Sequence, residues 1–103
     1  MAISQIEEKG SWYYLYDENG KKYKTLTVSA VGEILGWSDS FFIAKKGSWY
    51  YLYDETGKKY KTLTVSTVGD FESISGNTFV TRKSSFRYTY DSNGKKINTR
   101  PAR

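Results

Sequence analysis

Hydrophobic residues along this chain come in short bursts, and a turn signal closes each burst. In residues 48–54, Ser-Trp-Tyr-Tyr-Leu-Tyr-Asp, an extended backbone sets Trp49, Tyr51 and Tyr53 on one side and Tyr50 and Leu52 on the other. Both sides are apolar, which predicts a strand in a sheet covered on both faces. A polar turn containing Gly57 follows, then a Lys/Thr-rich strand over 58–65. Upstream, 31–37 and 41–45 read as two more strands, separated by Ser38-Asp39-Ser40 and closed by Lys46-Gly47. The unit is a four-stranded meander, and no stretch reads as a helix.

The chain carries this layout three times. Residues 9–29 match 46–66 at every position but one, Asn19 against Thr56, and a diverged copy begins at Ser84. Trp12, Trp49 and Phe86 fall 37 residues apart, as do the turn glycines Gly20, Gly57 and Gly94. A gapless period of this kind marks a repeat architecture. Asn19-Gly20 and Asn93-Gly94 supply the positive-φ conformers a tight hairpin needs. The predicted fold class is therefore all-β: three tandem 37-residue antiparallel β-meander repeats in a single repeat domain, with units near 1–29, 30–66 and 67–103.

The end units depart from the pattern. The first lacks its first strand, which leaves an unpaired edge for a second chain to cover by strand addition or in a symmetric oligomer, the plainer alternative being a monomer whose edge Gln5, Glu7 and Glu8 guard. In the last, Arg87, Thr89 and Arg100 replace Tyr50, Leu52 and Leu63, so one face turns polar, as a terminal repeat requires.

Composition narrows the function classes. Ten Tyr and three Trp with one Pro suit pleated, half-buried surfaces. The chain has no Cys and no His, which removes disulfides, thiol nucleophiles, the common zinc ligands and the usual general base. Asp17, Asp54 and Asp91 each stand just before a turn glycine, where a carboxylate serves as a backbone hydrogen-bond acceptor rather than an acid/base group. Neither a nucleophile elbow nor a phosphate-binding glycine loop is present. An enzyme is not expected, and no cofactor or metal site is assigned. No run approaches transmembrane length and no signal peptide stands at the start, so no membrane partner is expected and a cytoplasmic placement is the default.

Two candidate contact features stand out. The lysine pairs Lys21/Lys22, Lys58/Lys59 and Lys95/Lys96 recur once per unit, and stacked units would line them into a ladder, with Arg100 and Arg103 added. With a net charge of +5, such a ladder suits a phosphate backbone, while its plainer reading is a solubilising edge. Trp12, Trp49 and Phe86 are expected to pack between sheets. Trp37 has Ile74 as its counterpart, so the repeat does not demand it, and it is the aromatic expected to be spared for contact.

The Val-Gly-Asp/Glu opening, the Phe-rich second strand and the Gly-Ser-Trp-Tyr-Tyr-Leu-Tyr-Asp-x-x-Gly-Lys-Lys hairpin resemble a β-propeller blade, and are similar to WG-type β-repeats. That resemblance implies a ring of about four to eight blades, which three units complete with a second chain or as a piece of a longer protein. The hairpin also resembles choline-binding cell-wall repeats of shorter period, which would imply aromatic cages for a quaternary ammonium. Together these readings predict a non-catalytic repeat module that self-assembles through stacked β-sheets, as a homo-oligomer. The alternatives are a carbohydrate- or protein-binding module using aromatic surfaces, and nucleic-acid binding through the lysine ladder.

Overall fold

Every expected strand forms in the computed structural model, which describes residues 2–102. Strands β1 (Gln5–Lys9), β2 (Trp12–Tyr16) and β3 (Lys22–Thr27) make one sheet, the first. The second holds β4 (Glu33–Trp37), β5 (Phe41–Lys46), β6 (Trp49–Asp54) and β7 (Lys59–Thr64). The third holds β8 (Asp70–Ser75), β9 (Thr78–Lys83), β10 (Phe86–Asp91) and β11 (Lys96–Pro101). All pairs are antiparallel between sequence neighbours, so each of the three units folds as one meander, and among the described residues none of the sheets closes into a barrel.

One expectation fails locally. Val28–Val31 (α1) and Val65–Val68 (α2) are single helical turns, where the sequence suggested no helix. Each is closed by one amide, Gly32 to the Val28 carbonyl at 2.8 Å and Gly69 to the Val65 carbonyl at 2.7 Å. One turn holds too few residues for a 3.6-residue period to show in the sequence. Their role is to carry the chain from one sheet to the next.

The sheets lie face to face, with the second in the middle. Its Phe42, Ala44 and Tyr53 share a core with Ile6, Tyr13 and Leu15 of the first sheet, while its Ile43, Tyr50 and Leu52 share another with Phe79 and Tyr90 of the third. The two-sided apolar strand thus does bury both faces. Cross-strand rings reinforce each layer: Phe42 and Tyr53 stack with centroids 4.8 Å apart, Phe79 and Tyr90 at 5.3 Å. Burying one such aromatic contributes on the order of 2 kcal/mol.

Tyrosine hydroxyls join sheet to sheet. Tyr13 donates to the Gly32 carbonyl (2.8 Å) and accepts from the Ile34 amide (3.3 Å). One repeat later Tyr50 donates to the Gly69 carbonyl (2.7 Å) and accepts from the Phe71 amide (3.0 Å). Tyr23 and Tyr60 likewise donate to the Glu55 and Ser92 carbonyls in the turns of the following unit. The third unit carries Arg87 and Ile97 at these two positions, so neither bridge is offered beyond it. Its outer face is polar, with Arg87 paired to Glu72 at 2.7 Å. This is the terminal face the substitutions predicted.

Candidate functional site

The lysine pairs sit on three successive hairpin turns at one end of the stack. Each turn is built by its aspartate. The Asp17 carboxylate accepts from the Asn19 and Lys21 amides, Asp54 from Thr56 and Lys58, and Asp91 from Asn93 and Lys95, all between 2.9 and 3.0 Å. Burial opposes ionisation of Asp54, but the Thr56 hydroxyl, the Lys58 and Thr56 amides and the Lys58 charge outweigh it. They hold its carboxyl below its ordinary value. These carboxylates are turn acceptors, and Asp17, Asp54 and Asp91 each stay bound to their own loop.

Within each pair the two lysines differ. Lys21, Lys58 and Lys95 give their amides to the turn and leave their side chains exposed. Lys22, Lys59 and Lys96 lie over the rings of Tyr14, Tyr51 and Tyr88, with Nζ 4.3, 4.2 and 4.6 Å from the centroids. Successive turns pack against one another, since a side chain added at Gly57 would meet Lys24 at 3.1 Å and one at Gly94 would meet Leu63 at 3.2 Å. The pairs therefore do form a row, but an acid stands within every turn and half of the lysines already face a ring.

Trp37 lies apart from that row. Its cross-strand partner is Phe42, which pairs with Tyr53, which pairs with Lys59. Trp37 and Lys59 thus occupy one row on opposite edge strands, about 14 Å apart at ~4.8 Å per strand. The shared row turns Trp37 toward the first sheet, at the edge where that sheet has no fourth strand, and it remains 39% exposed. Its counterpart Ile74 packs instead over Gly36, where an added Cβ would meet it at 2.8 Å. Beside Trp37, the Ile3 amide donates to the Asp39 carbonyl at 2.9 Å, and Ile3 fills the adjacent core.

Sequence reasoning misplaced a second aromatic set. Trp12, Trp49 and Phe86 were expected between the sheets, yet they are 46%, 46% and 45% exposed. A sheet lies over the Trp49 face and none lies over Trp12, so equal exposure means that the stack does not cover this position. Each of these rings pairs across its strand with a lysine: Trp12 with Lys9, Trp49 with Lys46, Phe86 with Lys83. They line the end opposite the lysine pairs, beside the Lys-Gly-Ser or Lys-Ser-Ser hairpin. The usable sequence signal was position: each ring opens its strand directly after a hairpin, where a neighbouring sheet no longer overlaps.

Arg103 of the expected lysine ladder lies outside the described residues. Among the described residues no three His, Cys, Asp or Glu groups converge, and no helix is long and apolar enough to cross a membrane. No family model, curated protein or solved structure matches the chain, so its functional reading rests on these surfaces alone.

Proposed function

We propose that the protein is a non-catalytic assembly module that pairs with a second copy through the outer face of its first sheet. One observation carries this reading. Trp12, Tyr14 and Tyr16 repeat Trp49, Tyr51 and Tyr53, the face that in the second sheet receives another sheet, yet in the first sheet that face is uncovered. On this face β1 carries Glu7 and Lys9, and β3 carries Lys22. A two-fold axis parallel to the strands sets β1 of one protomer over β3 of the other and brings Glu7 of each toward Lys22 of its partner.

Head-to-tail growth is disfavoured, because the third sheet lacks the Tyr50- and Tyr60-type hydroxyls and presents Arg87 and Thr89. The face measures roughly 15 by 17 Å, well under the ~800 Å² per partner of a standard interface. Association is accordingly weak and concentration-dependent.

Light scattering behind size exclusion tests this. The expected result is a mass rising from 11.9 kDa toward twice that value as concentration climbs from micromolar to millimolar. Tyr14→Glu, on the outer face, should hold the protein at the monomer mass. A monomer at every concentration overturns the reading.

A further inference from the structure

The geometry points to a second surface, which meets the first only at Trp12 and Lys9: the ladder formed by Trp12, Trp49 and Phe86 with Lys9, Lys46 and Lys83 is a binding track for single-stranded nucleic acid. Four observations converge on it. The rings are about half exposed in all three units, so packing does not consume them. Each has a lysine directly opposite on the neighbouring strand, and all three lysines are exposed. The hairpins joining ring and lysine are Lys-Gly-Ser, Lys-Gly-Ser and Lys-Ser-Ser, with no acid in any of them. One row further in, Glu33 and Asp70 sit across from Lys45 and Arg82, and Glu8 takes the corresponding place in the first unit, while Lys9, Lys46 and Lys83 themselves face rings rather than acids.

Flat rings alternating with cations suit a ligand that alternates flat groups with anions. Nucleobases stack on aromatic side chains regardless of sequence, and lysines neutralise the phosphates between them. Stacked sheets lie ~10 Å apart, so the three rings span about 20 Å. At the ~3.4 Å rise per nucleotide of a stacked strand that is about six nucleotides, inside the ~4–16 range of single-strand sites. The lysine pairs at the opposite end fit this ligand less well. Lys22, Lys59 and Lys96 already lie over tyrosines, and the aspartates stand in the same turns.

Fluorescence anisotropy with a labelled oligothymidylate at low salt tests the track, with intrinsic tryptophan emission read in parallel. The expected results are saturable binding, quenching of tryptophan, and log affinity falling against log salt with a slope of about 2, from three neutralised phosphates at ~0.7 each. Trp49→Ala should weaken binding about tenfold. Lys46→Glu, which leaves the ring in place, should weaken it and lower the salt slope. Lys58→Ala with Lys59→Ala should leave it unchanged. A circular dichroism melt of each variant separates loss of binding from loss of fold. No binding at low salt overturns the proposal. So does binding that Trp49→Ala leaves intact while a sulfated polysaccharide competes equally, which would mark a general polyanion surface. A greater loss from the Lys58/Lys59 double variant than from Lys46→Glu overturns it too.

Discussion

Replacing Tyr50 by Phe removes one oxygen and isolates the hydroxyl bridge between the second and third sheets. That oxygen donates to the Gly69 carbonyl at 2.7 Å and accepts from the Phe71 amide at 3.0 Å, and the residue is 1% exposed. Burial raises the pKa of this phenol, while the Phe71 amide pulls it back in part, so the hydroxyl is neutral and able to donate at any ordinary pH. The ring itself stays packed in Tyr50→Phe, so the loss is almost purely polar. Two hydrogen bonds at ~0.5–1.5 kcal/mol each, with two backbone groups left poorly satisfied, sum to about 2–3 kcal/mol. For a chain of this size that corresponds to roughly 10–20 °C in Tm.

Urea denaturation followed by circular dichroism, together with a thermal melt, gives both quantities. Tyr13→Phe is the internal control. Its geometry is the same, but its amide contact is longer, at 3.3 Å, and only partly buried, so it should cost about 1–2 kcal/mol. A Tyr50→Phe protein within about 0.5 kcal/mol of the parent, or Tyr13→Phe costing more than Tyr50→Phe, would refute the bridge as a source of inter-sheet stability.

Other perturbations probe the same stack. Leu52→Ala empties a fully buried site of the middle sheet and should cost about 2–5 kcal/mol in chemical denaturation; a loss below about 1 kcal/mol would mean that this face is not packed. Gly57→Ala and Gly20→Ala impose a similar left-handed strain at φ 87° and 76°, but only Gly57 has Lys24 within 3.1 Å. Gly57→Ala should therefore be the more damaging, and equal melts would argue against close packing of successive turns. Ser84 is the one described non-glycine residue at positive φ, 59°, where the other two hairpins have Gly10 and Gly47. Ser84→Gly should stabilise by roughly 1 kcal/mol, and an unchanged or lowered Tm would contradict that. Burial first, and the charges of Asp54, Asp91 and Glu55 second, push the Tyr60 phenol up to about 12 from 10.0. The folded state holds this proton more tightly, so its contribution is intact below pH ~10 and fades as pH climbs toward ~12. Tyr60→Phe should flatten that alkaline decline, and an identical pH profile would remove Tyr60 from the account.

What the sequence determined by itself was everything set by local chemistry. Alternation along 48–54 specified a strand with two apolar sides, because side chains of an extended backbone point alternately whatever lies beyond. Asp17, Asp54 and Asp91 before their glycines specified the turns, because an aspartate closes a loop on its own neighbouring amides. The substitutions at Arg87 and Thr89 showed which face ends the stack. The single-turn helices escaped because four residues carry no period.

Tertiary structure alone decided how far one sheet overlaps the next. That offset leaves Trp49 as open as Trp12, although only Trp49 has a sheet above its face. It also brings the Tyr50 hydroxyl to the Gly69 carbonyl, nineteen residues away. Trp37 became exposed for the same kind of reason: the strand that would cover it belongs to a different unit, and in the first sheet that strand is missing. Alternation tells which side of a strand a residue faces. Whether anything stands on that side depends on the lateral shift between sheets, which no single strand encodes.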